Sequence, residues 1–397
     1  MNIKFNYIKG DRMIWAIVTL LAIFSFLPVY SAASNLAYST GNGQTLNYLI
    51  KHFIHLILGF SIIYGFHRIP YIYFRGLSIF MFPVIVILLI VTLLQGNIID
   101  GANASRWIQV PLVGFTFQPS TLAFLVLMIF VARYLSKTFH KEISFYNSIL
   151  QFWMPILLVL ILILPANFST TAIIFSMILI VSFIGGYPLK YLINISVIGI
   201  VLLSIFIITA MKFPKAFPNR VDTWTNRIVN FISDDEKRED YQIEKAKIAI
   251  SSGGIYGLGP GKSTQKNFLP QSSSDFIFAI IIEEYGLIGG LFLLLLYLLL
   301  LFRILIVAQK SDSIFGKLLT VAVGIPIVFQ SIVNMGVAVE LFPVTGQTLP
   351  LISSGGTSIW VTCMSIGIIL SVSSKREEIR NNFKDSENPL EILIETL

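Results

Sequence analysis

Two acidic clusters and one glycine-rich turn hold most of this sequence's capacity for chemistry. Asp275 follows Ser272-Ser273-Ser274, and Glu283-Glu284 come next on what reads as one helix. On an ideal helix Glu283 lies about 80° round from Asp275 and roughly 12 Å deeper, so these acids cannot grip a single atom together. Asp275 reads either as a helix start, where Ser and Asp satisfy free N–H groups, or as an acid at a watery boundary able to take a proton. Glu283-Glu284 read either as a buried pair held by a basic residue elsewhere or as the wall of a substrate cavity.

Gly257-Leu258-Gly259-Pro260-Gly261-Lys262-Ser263-Thr264 invites comparison with a phosphate loop. The glycine required five places before the Gly-Lys pair is Tyr256, and no strand precedes it, so ATP binding is rejected. The turn could still offer N–H groups, Lys262 and Lys266 to some other phosphate; a plain flexible loop is the alternative. His52 and His55 share a helix face, but with only His67, His140 and the single Cys363 elsewhere they read as polar packing rather than a metal site. Asn103-Ala104-Ser105 is a weak glycosylation triplet. Gly346-Gln347-Thr348-Leu349-Pro350 and Ser353-Ser354-Gly355-Gly356-Thr357 break a helical pattern. Such a break at membrane depth is tolerated where it is buried in protein or lines a cavity.

The elements that must position these residues are membrane spans. The 397 residues are 55% hydrophobic and 12% charged, against roughly 25% charged in an average soluble domain. A soluble globule is excluded. Apolar runs at 13–33, 46–66, 76–95, 119–136, 147–165, 170–186, 189–211, 276–304, 314–338 and 353–373 predict an all-α polytopic membrane protein of ten transmembrane helices. The first run extends too far for a cleaved signal peptide. With the N-terminus inside, the short inner segments hold 16 basic residues and the short outer ones 2, which places both termini in the cytoplasm. This topology, rather than nucleic acid, accounts for the net charge of +7. The scheme is a single integral membrane domain, 1–374, with an extracytoplasmic loop at 212–275 and a cytoplasmic tail, 375–397. That loop holds a charged stretch at 233–240, a helical pattern from Tyr241 to Ser252 and the glycine-rich turn. It puts Asp275 and the broken segment after the ninth span on the same outer side.

Ordered motifs along the chain resemble those of the FtsW/RodA/SpoVE family of shape, elongation, division and sporulation proteins. They are Arg106-Trp107-Ile108 with Phe117-Gln118-Pro119-Ser120; Tyr241-Gln242; Ser252-Gly253-Gly254; Gln265-Lys266; Ser274-Asp275-Phe276-Ile277-Phe278-Ala279; Glu283-Glu284-Tyr285-Gly286; Asn334-Met335-Gly336; Phe342-Pro343-Val344-Thr345-Gly346; and Ile352-Ser353 with Gly355-Gly356. The resemblance implies a peptidoglycan glycosyltransferase that polymerises lipid II on the outer face of the bacterial cytoplasmic membrane, working with a class B penicillin-binding transpeptidase. It carries the family's essential acid onto Asp275. It implies substrate contacts from Arg106, Trp107, Gln118, Ser120, Tyr241, Gln242, Lys262, Lys266, Glu283, Glu284, Asn334 and Ser353. Thr348-Leu349-Pro350-Leu351-Ile352-Ser353 and Gly261-Lys262-Ser263-Thr264-Gln265-Lys266 look more like the FtsW branch, which implies septal wall synthesis beside other divisome proteins. No nucleotide or nucleic acid is required. Cationic groups would offset the leaving pyrophosphate, and Mg or Mn could share that role, although the chain shows no dedicated cage. Departures stand at Thr121 and Phe124, where the family usually has Glu and Lys, at Ala166 to Ser169, at Gln271 and at Ser354. A lipid II flippase and a noncatalytic divisome scaffold are the competing readings.

Overall fold

The computed structural model describes residues 9–39, 45–95, 98–99, 102–103, 106–109, 116–212, 241–269 and 272–386. The charged stretch 233–240 and Pro270-Gln271 lie outside the described residues. The helices, in chain order, are α1 Arg12–Ser39, α2 Thr45–Phe66, α3 Ile72–Gln95, α4 Pro119–Thr138, α5 Phe145–Ile163, α6 Phe168–Ile184, α7 Leu189–Lys212, α8 Tyr241–Gly253, α9 Ile277–Gln309, α10 Ile314–Ala338 and α11 Gly356–Ser386. A π-helical turn, Ile149–Trp153, interrupts α5. Two short antiparallel ladders between α3 and α4 pair Ile98 with Asn103 and Ile108 with Phe117.

Every apolar run expected from the sequence is helical. Eight of the helices are long and apolar enough to cross a bilayer, while α6 and the Leu189–Ile205 part of α7 are shorter apolar helices. Local chemistry sets the ends that differ from expectation. Gly185 follows α6 and Gly186 has φ +77°, the left-handed conformation in which helices commonly stop. Asn167 caps the other end of α6, accepting from the Thr170 N–H at 3.3 Å. The last helix starts at Gly356 rather than 353, because 350–355 is drawn into turns tied to the Asp275 segment. Phe276 is the N-cap of α9, so Asp275 stands one residue outside the helix it was expected to open.

α10 is the axis of the bundle. It packs against α4, α9 and α11, and 78% of its apolar window is buried, compared with 22% for α2 and for α3. α1 packs on α2 and α9, α2 on α11, and α8 lies against α9 and α10. At one end of the bundle Asp11 caps α1, accepting from Met13 N at 2.9 Å, and also pairs with Arg303 near the end of α9. The start of α1 and the end of α9 therefore share a side, as the sequence topology requires.

Candidate active site

The span carrying the glutamates is a broken helix. Gly286 has φ 68° and ψ −171° within α9, a conformation essentially reserved for glycine. The break strips helical partners from the carbonyls of Glu283 and Glu284 and the N–H groups of Leu287 and Ile288. An unpaired peptide group in apolar surroundings costs several kcal/mol, on the order of a lost hydrogen bond or more. The glycine-rich turn supplies the partners. Leu258 N donates to Glu283 O at 2.9 Å and Gly259 N to Glu284 O at 3.0 Å, while Leu287 N donates to Gly254 O at 2.9 Å and Ile288 N to Ile255 O at 3.3 Å. Backbones approach so closely that a Cβ built at Gly257 would lie 2.2 Å from the Glu284 carbonyl. The turn is thus a structural splint for the broken helix.

The two carboxylates complete the same joint. Glu283, with no exposed surface, accepts from Thr264 N and Thr264 Oγ1, each at 2.9 Å, from Gln265 N at 3.2 Å and from the Ser263 hydroxyl. Glu284, 1% exposed, accepts from the hydroxyl of Ser31 on α1. Lys266 Nζ donates to Ser31 Oγ at 3.3 Å and to Gly261 O at 2.9 Å, which puts a cation beside the serine that donates to Glu284. The expectation that Glu283 and Glu284 line a substrate cavity is corrected here: both are buried, Glu283 facing 263–265 and Glu284 facing Ser31 on α1. Glu283→Gln should destabilise the protein by about 2 kcal/mol, the scale of a charge-assisted hydrogen bond turned against its donors. Thermal unfolding in detergent measures this, and an unchanged midpoint would show that the carboxylate is dispensable.

Asp275 belongs to a second arrangement, built where the 272–276 turn meets the segment between α10 and α11. Asn334 on α10 donates from Nδ2 to the Asp275 carbonyl at 2.8 Å and to the Gln347 carbonyl at 2.7 Å. Ser353 Oγ donates to Ser274 O at 2.6 Å and accepts from Leu349 N at 2.7 Å. Ser354 N and Oγ both donate to Ser273 O, each at 3.0 Å. Three consecutive main-chain carbonyls are therefore held, those of 273 and 274 from the loop between α10 and α11 and that of 275 from α10 itself. The Asp275 side chain is half-buried and lies beside Gly346, where a built Cβ would sit 3.4 Å from Asp275 Oδ2. Glycine at φ +66° leaves that side of the carboxylate uncrowded.

Asp275, Asn334 and Ser353 are thus brought together, whereas Glu283, Glu284 and Lys266 form the separate joint. Asn334 and Ser353 act on main-chain atoms, which makes them builders of the loop. Gln118 and Ser120 sit at the start of α4, where Gln118 Nε2 donates to Ser120 Oγ at 3.1 Å and Gln118 N donates to Thr357 Oγ1 at 3.3 Å. Half-buried Arg106 donates from Nε to Ala166 O at 2.7 Å, just before the α6 cap; Trp107 is half-buried beside it in sequence. Tyr241 is exposed under the Lys245 ammonium, Gln242 is half-buried, and Lys262 is exposed on the splint. Sequence reading missed Ser31, Thr357 and Gln347, whose Nε2 donates to Thr170 Oγ1 at 2.9 Å. Gln347 and Thr357 carried a signal, their place in the Gly/Pro-broken segment; Ser31 carried none. Among the described residues no three His, Cys, Asp or Glu side chains converge, so they offer no cage for a divalent ion.

Comparison with known proteins agrees with this architecture. The family described as cell cycle protein, FtsW/RodA/SpoVE, matches residues 11–378. A protein of Hydrogenovibrio crunogenus, called probable peptidoglycan glycosyltransferase FtsW, is 32% identical over 364 residues, covering 90% of each chain. One of Geobacter sulfurreducens with the same name is 30% identical over 381 residues, covering 94% of this chain and 98% of its own. Among solved structures, a chain from a peptidoglycan synthase complex coordinating polymerization and crosslinking superposes with TM-score 0.70 at 24% identity, covering 92% of this chain and 98% of that one. The rod shape determining protein RodA of Thermus thermophilus gives 0.66 at 24% identity, covering 94% and 99%. With its membrane-spanning helices matched almost end to end, the chain belongs to the FtsW/RodA/SpoVE family of cell cycle proteins.

Proposed function

We propose that this protein is a peptidoglycan glycosyltransferase that polymerises lipid II at the outer face of the cytoplasmic membrane, with Asp275 as its base. The names of its relatives support the reaction class. The observation that carries the residue is the half-buried Asp275 carboxylate, held by its own main chain while its side chain stands beside the open glycine edge of the 346–348 segment.

The acceptor GlcNAc loses the proton of its 4-hydroxyl to Asp275 as that oxygen bonds to the anomeric carbon of the donor MurNAc. The bond from that carbon to the pyrophosphate oxygen breaks, and its electron pair leaves on the polyprenyl pyrophosphate. Glycosidases need two carboxyl groups because an alkoxide leaving group must be protonated. Pyrophosphate leaves as a stable anion, so one base is sufficient. A carboxylate can take that proton as a general base. This reading assigns Arg106 and exposed Lys262 to offset charge on the leaving group, and Trp107, Tyr241 and Gln242 to contact sugar and peptide. Lys266, engaged with Ser31, contributes field rather than contact.

The working unit on this reading includes a class B transpeptidase and other divisome proteins at the septum, with both termini in the cytoplasm. The decisive experiment is purified protein with its transpeptidase and labelled lipid II in detergent, with and without chelator. Glycan strands support the proposal. Movement of lipid II across vesicles with no polymer formed would replace it with a flippase.

A further inference from the structure

Gln330, a residue outside every site discussed so far, lies on α10 four places before Asn334, and residues at that spacing share a helix face. The two amides form a ladder. Asn334 donates to the carbonyl of Gln347, and Gln330 Nε2 donates at 2.9 Å to the carbonyl of the next residue, Thr348. The Thr348 hydroxyl then donates to Ser358 Oγ on α11 at 2.8 Å. Gln330 reaches this carbonyl from a narrow cavity between α4, α10 and α11, where Phe124, Met128 and Ile327 are among its neighbours. An amide in such surroundings is costly unless bonded, so this donor has a defined task.

We propose that Gln330 is a positioning residue for the Asp275 centre. Successive rungs from one rigid helix fix the 347–348 main chain, and Gly346, whose built Cβ would be 3.4 Å from Asp275 Oδ2, follows from their placement. Asn334 holds the carbonyl of Gln347 and Ser353 the N–H of Leu349; Gln330 takes the Thr348 carbonyl between them and fixes its direction. Gln330 thereby sets the edge against which the acceptor sugar is presented to the carboxylate, without touching either. The inference rests on the polymerase reading for its kinetic consequence, but its structural consequence stands apart from it.

The test uses the full chain with its transpeptidase, and two variants. Gln330→Met keeps the reach and removes the donor; Gln330→Asn keeps the amide and withdraws it by one methylene, so the two perturb the packing differently, and thermal unfolding in detergent shows which are folded. Each should raise amide hydrogen exchange at 347–349 at least severalfold. Each should also lower kcat for labelled lipid II about tenfold, the scale of a sub-ångström misplacement, while KM stays within about twofold. Unchanged exchange at 347–349, or kcat within about twofold of the parent in either folded variant, overturns the proposal. If exchange rises and kcat falls but Asp275→Asn still polymerises, the ladder stands and the assignment of the base fails.

Discussion

Asp275→Asn should abolish glycan polymerisation while leaving the protein folded, with a loss of about 10²- to 10⁴-fold if Asp275 is a general base. The substitution keeps shape and reach and removes only the ability to take a proton. The clamps on this turn support the expectation of a folded variant, because they act on carbonyls that asparagine retains: Asn334 on that of residue 275, Ser353 on that of Ser274 and Ser354 on that of Ser273. Two measurements check it together: strand length on gels from labelled lipid II, and thermal unfolding in detergent. Polymer at parental yield from a folded Asp275→Asn protein would move the base to another residue. A protein that loses polymer and fold together would mean the carboxylate is structural.

Gly286→Ala should cause a large loss of stability. Two penalties coincide there. The backbone conformation, φ 68° and ψ −171°, costs an alanine about 1–3 kcal/mol. The new Cβ would lie 2.2 Å from the Ile255 carbonyl and 2.5 Å from the Gly257 nitrogen, so the turn must withdraw and release the bonds that repair the broken helix. Together these effects should exceed about 4 kcal/mol, enough to remove most of a typical domain's margin. The readout is accumulation in membranes and the unfolding midpoint. Gly186→Ala is the internal control: its φ is also positive, but nothing lies within 4 Å of its built Cβ, so it should show the conformational cost alone. Equal midpoints for the two variants would disprove the close contact at Gly286.

The spans were legible because twenty or so consecutive apolar residues have few other uses. An acid beside three serines at the head of such a run suits a helix start equally well, and it was the resemblance, not position, that gave Asp275 the role of base. Its surroundings were not legible. Asn334 and Ser353 were picked out by resemblance, but that they hold carbonyls rather than substrate depends on contacts across 59 and 79 residues of sequence. Glu283 and Glu284 misled for a related reason. A buried acid pair reads as structural when a basic partner is in view, whereas here the partners are backbone N–H and hydroxyl groups of 263–265 and Ser31, which carry no charge to signal the pairing. The departures at Thr121 and Phe124 border the cavity that Gln330 crosses, a juxtaposition that no spacing along one helix could reveal.

The joint at Gly286 also bears on biogenesis. Residues 253–259 precede α9 in the chain, so a nascent polypeptide delivers the complementary strand of peptide groups before the interrupted segment leaves the ribosome. A translocon that released α9 first would put bare carbonyls into acyl chains. Vectorial synthesis avoids that, and a circular permutant opened between α8 and α9 should insert poorly even though every residue is retained.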